Sequence, residues 1–145
     1  MSTRFKMGKV QPAAYKAMDA LDNYVSNSGI DKIHQELIRI RASQINGCGY
    51  CIDYHTGDAL KQGETAQRLF AISAWWETPF FTAAERAALK LAEEITKIQE
   101  AGLREDTFQN AKKYFSEGEI AQLIFITTVT NSWNRIAISM HMIAE

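Results

Sequence analysis

No segment of this 145-residue chain sustains the period-two alternation of a half-buried strand, whereas apolar stripes at three- and four-residue steps recur along it. That periodicity predicts an all-α fold, a single compact multi-helical domain over residues 1–145 with about seven helices. Pro12 sits in the first turn of a helix striped by Ala13, Tyr15, Met18, Leu21 and Val25, and Ser28-Gly29 stops it. Asp31 is expected to cap a second helix that runs to about Ile45, where Asn46-Gly47 ends it. Ile33, Leu37 and Ile40 share one of its faces with Glu36, and Ile38, Ala42 and Ile45 occupy another, so both sides should be covered.

A third helix is expected from near Cys48 to Gly63, and a fourth from Glu64 to about Trp76, ahead of Pro79. Thr82-Ala83-Ala84-Glu85 is a capping box for a fifth helix that reaches Gly102, and Glu105 to Phe115 forms a sixth. Ser116-Glu117-Gly118-Glu119 opens a long last helix through Met142, with a kink or a polar contact expected at Asn131-Ser132-Trp133-Asn134.

A composition of 46% hydrophobic and 23% charged residues with a net charge of −1 offers no basic footprint for nucleic acid. The apolar run Leu123 to Val129 is far short of the roughly 18 to 20 residues a membrane span needs. No apolar leader follows the basic residues Arg4, Lys6 and Lys9, so a soluble, cytoplasmic protein is expected. In a reducing compartment, two cysteines this close are a catalytic or metal-binding pair rather than a structural staple.

Those two, Cys48 and Cys51, stand in a C-x-x-C pair with His55 one turn further on. On a helix the three fall within an arc of roughly 60°. A cysteine thiol, with a free pKa of about 8.5, becomes a nucleophile when a helix N-terminus, a C-x-x-C partner or a histidine lowers that value. All three conditions apply here. His55 is placed to take the proton of Cys51, which is read as the attacking thiol, with Cys48 resolving; the reverse order is open. Glu36, on an otherwise apolar face, needs a partner, and His55 is the candidate that would join Glu36 to a Glu-His-Cys relay.

Glu36, Cys48, Cys51 and His55 together spell E-x(11)-C-x-x-C-x-x-x-H, which resembles the signature of the alkyl hydroperoxidase D (AhpD) family within the carboxymuconolactone decarboxylase superfamily. Leu37 to Asn46, Trp76 to Phe81 with Glu85 to Leu89, and Asn131 to Ile136 are similar to further segments of that family. The resemblance implies an all-helical subunit that assembles as a homotrimer or homohexamer. It also implies a dithiol that reduces hydroperoxides or passes electrons in a peroxiredoxin system, with Glu36, Cys51 and His55 as proton relay and Cys48 as partner thiol. Where the family's best-known enzyme has a histidine between the cysteines, this chain has Gly49 and Tyr50, and a phenol of pKa about 10 is a poor proton shuttle at neutral pH.

The expected activity is a thiol-dependent peroxidase, a dithiol-disulfide oxidoreductase with no bound cofactor and no metal. Its electrons would come from an external thiol reductant, whether lipoyl, thioredoxin-like or a small thiol. Alternatives are a carboxymuconolactone decarboxylase-like lyase, whose chemistry needs no dithiol, and a non-catalytic redox-sensing or zinc-stabilised oligomeric adaptor. Zinc would require His34 or His141 to join Cys48, Cys51 and His55. His34 is otherwise expected to face solvent and His141 to lie at the surface or an interface. Glu36, taken alone, could be an ordinary carboxylate paired with Arg39 or Arg41. Trp75, Trp76, Phe80, Phe81 and Trp133 are read as core or interface before pocket wall.

Overall fold

In the computed structural model the second of the expected helices is the axis of the molecule. The structure describes residues 2–144, so the ends of the expected 1–145 domain lie outside the described residues. Nine α-helices and one 3-10 segment make up the fold, with no strand among the described residues: α1 (Met7–Val10), α2 (Pro12–Ser26), α3 (Lys32–Asn46), α4 (Gly49–Lys61), α5 (Ala66–Ala71), the 3-10 turn Ile72–Glu77, α6 (Ala83–Thr96), α7 (Ile98–Ala101), α8 (Glu105–Ala111) and α9 (Glu117–Ser139).

Asp31 Oδ1 caps α3 by accepting the N–H groups of Ile33 (2.8 Å) and His34 (3.4 Å). From there α3 runs between two apolar clusters, as its two-faced pattern predicts. Ile38 packs with Val25, Ala88, Leu91, Leu123 and Ile126 on one side, while Leu37 and Ile40 meet Ala59, Ile72, Trp75 and Leu89 on the other. α4, α6 and α9 all pack on α3. Both expected capping boxes are present, at Thr82/Glu85 and Ser116/Glu119.

Four of the expected helices are shorter than their patterns imply. The fourth breaks after Ala71 into the 3-10 turn, with Ala74 at φ −134°, ψ 37°. This turns Trp75 into the core, where its indole N–H donates to Glu93 Oε1 at 2.9 Å. The fifth breaks at Lys97 (φ −96°, ψ 41°) into α6 and α7, and the sixth stops at Ala111. α9 is unbroken but stops at Ser139, short of the expected Met142, and of the two options at Asn131–Asn134 the polar contact is the one found. Asn46 Nδ2 donates to Asn131 Oδ1 and Asn134 Oδ1, both at 2.9 Å, and Asn134 Nδ2 donates to Ser43 Oγ at 3.0 Å. These bonds tie the end of α3, just before the cysteines, to the middle of α9.

Candidate active site

The turn between α3 and α4 sets the cysteines. Gly47 adopts φ 72°, a left-handed conformation that suits glycine, so that the Gly47 and Cys48 N–H groups close the end of α3 on Gln44 O (3.2 Å) and Ser43 O (2.9 Å). Cys48 then becomes the N-cap of α4, its Sγ accepting the Cys51 N–H at 3.3 Å. Both sulfurs therefore sit at a helix N-terminus, where partial positive charge favours a thiolate. The pair is joined as a disulfide, packed with Ala137 of α9 and against Tyr50 and Met142. Cys48 is 1% exposed and Cys51 5%.

Glu36 of α3 reaches the same place from the other side. It is buried, and its Oε2 lies 3.0 Å from His55 Nδ1. Arg39 Nη1 donates to Glu36 Oε1 at 3.2 Å, while Arg39 Nη2 donates to Asp22 Oδ1 (3.2 Å) and Ser26 Oγ (2.8 Å) of α2. A guanidinium stays charged, and a carboxylate has acceptors only, so Nδ1 of His55 carries the proton and donates it to Glu36. Nε2 is left as the basic nitrogen, with no protein partner among the described residues. The pairing expected between Glu36 and His55 is thus present, and so is the ordinary Arg39 pairing; each takes a different carboxylate oxygen. Arg41 is elsewhere, donating to Glu93 Oε1 at 2.8 Å.

Cys51 and His55 open on one cavity of about 220 Å³, walled by Tyr15 and Asp19 of α2, Tyr50 and Tyr54 of α4, and Trp133 of α9. Cys48 does not line it. Tyr15 and Tyr54 stay protonated over a wider range than free phenols. Burial first, then the Asp19 carboxylate, push Tyr15 up; Asp58 first, then burial, push Tyr54 up. Tyr15 also packs edge-on against Trp133 with ring centroids 5.2 Å apart.

The other aromatic residues singled out by pattern are not at this cavity. Trp75 and Phe81 are core, whereas Trp76 and Phe80 are exposed. His34 is half-buried rather than solvent-facing, because its ring packs edge-on against Phe115 at 5.8 Å. No three His, Cys, Asp or Glu side chains converge to hold a metal among the described residues. Spacing also missed Asp22, Tyr15 and Met142, which arrive from distant segments; only Arg39, three residues after Glu36, carried a local signal.

Residues 12–94 match the model of the carboxymuconolactone decarboxylase family. The chain is 40% identical over 140 residues to the uncharacterized protein YdfG of Bacillus subtilis (strain 168), covering 97% of this chain and 95% of that one. It is 47% identical over 49 residues to alkyl hydroperoxide reductase AhpD of Brucella abortus (strain 2308), a match spanning 34% of this chain and 28% of the reductase. Among solved structures, a protein of unknown function from Agrobacterium tumefaciens, described as a candidate AhpD antioxidant defence protein, superposes with a TM-score of 0.97 at 38% identity over 99% of both chains. The debrominase Bmp8 shares the fold alone, with a TM-score of 0.84 at 24% identity over 96% of this chain and 74% of that one. With its C-x-x-C pair beside a glutamate-bound histidine, the chain belongs to the carboxymuconolactone decarboxylase family, in its AhpD-like branch.

Proposed function

We propose that this protein is a thiol-dependent peroxidase that reduces organic hydroperoxides through Cys51 and Cys48. The observation that carries the reading is the 3.0 Å contact of Glu36 with His55 Nδ1, which leaves Nε2 as a base on the α4 helix and cavity that it shares with Cys51. In the reduced enzyme His55 takes the Cys51 proton, and the thiolate attacks the outer oxygen of ROOH. The O–O bond breaks, Cys51 becomes a sulfenic acid, and the departing alkoxide recovers the proton from His55 as ROH. The Cys48 thiol then condenses with Cys51–SOH, releasing water and forming the disulfide. An external dithiol, lipoyl or thioredoxin-like, reduces that disulfide by exchange and leaves oxidised in turn.

No cofactor or metal enters this cycle. Homotrimers or homohexamers are the proposed assembly, supported by exposed apolar side chains such as Phe70 (82% exposed) and Phe125 (47%). The test is consumption of an organic hydroperoxide by metal-free protein with dihydrolipoamide. Many turnovers per subunit, lost in Cys51→Ser and Cys48→Ser and depressed in His55→Ala, are expected. Formation of a single disulfide followed by arrest would instead make the protein a redox-sensing adaptor.

A further inference from the structure

The cavity in front of Cys51 does not end there. Tyr15, Tyr50, Tyr54 and Met142 also form part of the wall of a larger groove of about 590 Å³, which runs on between α1, α4 and the end of α9. That volume lies within the roughly 300–1,000 Å³ of small-molecule sites, and hydrogen peroxide has no use for it. Beyond the shared wall Phe5, Met7, Ile136, Met140 and Ile143 give it an apolar, adaptable stretch, flanked by Thr3, Lys6, Lys9 and Asp53.

Charge is divided along the path. Asp19 and Asp22 stand at the inner cavity, Asp22 already paired with Arg39 and Asp19 with no basic partner within ion-pair distance among the described residues. Lys6 and Lys9 line only the outer groove; both are exposed, and neither has an acidic partner among the described residues. Asp53, on the α4 side, is the one carboxylate on the outer wall among the described residues. An anionic group is therefore repelled near Cys51 and attracted at α1, while the space between favours hydrocarbon.

From this polarity we propose that the groove binds a long aliphatic chain with a carboxylate at its far end, and that the preferred substrates are fatty-acid hydroperoxides. The peroxide would lie at Cys51 and the carboxylate at Lys6 and Lys9. The substrate assignment rests on the peroxidase reading above, whereas binding of the chain does not.

Binding is tested on the oxidised protein, which cannot turn over, by Trp133 fluorescence with decanoate, dodecanoate and dodecyltrimethylammonium as probes below their micelle concentrations. Dodecanoate should bind about tenfold tighter than decanoate, from two further buried methylenes. It should also bind tighter than the ammonium probe. The Lys6→Glu/Lys9→Glu protein should lose roughly fivefold for dodecanoate, an effect weakened by salt. Ile136→Gln, on the half-buried wall, should lose affinity for both carboxylates while keeping the wild-type melting temperature. Equal affinities for the two chain lengths, or a preference for the cation, would overturn the proposal.

Turnover of linoleate hydroperoxide and tert-butyl hydroperoxide with dihydrolipoamide then separates the two readings. A kcat/KM at least tenfold higher for the linoleate compound, reduced by the lysine changes, supports both. Equal turnover of the two removes the groove's role and keeps the peroxidase. Tight dodecanoate binding with neither peroxide consumed keeps the amphiphile site and removes the peroxidase.

Discussion

Two arginines in this fold each join a pair of carboxylates, Arg68 two buried ones and Arg39 the buried Glu36 and the partly exposed Asp22, yet only one of these bridges lies beside the thiols. Arg68 of α5 bonds Glu64 through Nε (2.8 Å) and Nη2 (3.2 Å) and Glu85 through Nη2 (2.6 Å) and Nη1 (3.2 Å), and it lies 4.8 Å from the centre of the Phe81 ring. Its carboxylates also accept from the Thr65 and Thr82 backbone N–H groups. Burial opposes the cation there, but the bonds to Glu85 and Glu64 prevail and its pKa is raised. That network is closed: charges and donors answer one another, and its work is to hold α5 against the start of α6. Arg39 takes only one oxygen of Glu36 and leaves the other to His55, whose second nitrogen is unspent. An arginine between acids is thus structural when it saturates them and chemical when it leaves one atom over.

The strongest way to break this contrast is Glu36→Gln. Hydroperoxide turnover should fall about 10²- to 10⁴-fold, because the amide no longer imposes one tautomer on His55 or supports its positive charge. Stability should drop only about 1 kcal/mol, since Arg39 keeps Asp22 and Ser26. Kinetics and a urea melt on the same preparation would decide. A large stability loss with normal turnover per folded molecule would make Glu36 a structural acid like Glu85.

Arg68→Met is the mirror experiment. It leaves two carboxylates, 4% and 9% exposed, without their shared cation, and should cost about 3 kcal/mol of unfolding free energy with unchanged disulfide formation per folded molecule. Unchanged stability with lost chemistry would erase the distinction. A smaller effect is expected from Gly47→Ala: its Cβ meets open space, so only the left-handed backbone is strained, at about 1–2 kcal/mol. The slower disulfide formation that follows would show how much of the thiols' reactivity comes from their place at the start of α4.

The smallest effect is in alkaline solution. Tyr15 and Tyr54 bind their protons more tightly folded than unfolded, so their contribution to stability is complete below the unfolded value of about 10 and is lost as pH rises through the higher folded values. Ultraviolet titration should show these two phenolates forming above the free-phenol value, and replacing Asp58 by Asn should bring Tyr54 back toward it.

Much of this architecture could be read before any coordinates. Asp31, Thr82 and Ser116 announce helix starts because a short polar side chain before an apolar stripe has one good use, and all three caps are found. The breaks at Ala74 and Lys97 were not readable, because neither has glycine or proline nearby. At Ala74, packing that carries Trp75 inward to Glu93 overrides local propensity. At the site, Glu36, Cys48, Cys51 and His55 were found by spacing within two adjacent helices. Apart from Tyr50 and Tyr54 of α4, the rest of the cavity comes from α2, α9 and the segment after it, separated by more than a hundred residues of chain, and no periodicity reports such meetings.

The two ends of the described chain meet beside this groove. Arg4 N–H donates to Met140 O at 3.0 Å, the Arg4 guanidinium to Ser139 O at 3.2 Å, and Thr3 Oγ1 to His141 O at 3.4 Å. His141, at φ 52°, precedes Met142, which packs against the disulfide. For protein engineering this makes both ends poor places for an affinity tag or a fused reporter, which would sit at the groove's mouth. A circular permutant that joins them through a short flexible linker and reopens the chain at the exposed Gly63 turn would move the handles to α5 and leave the groove clear.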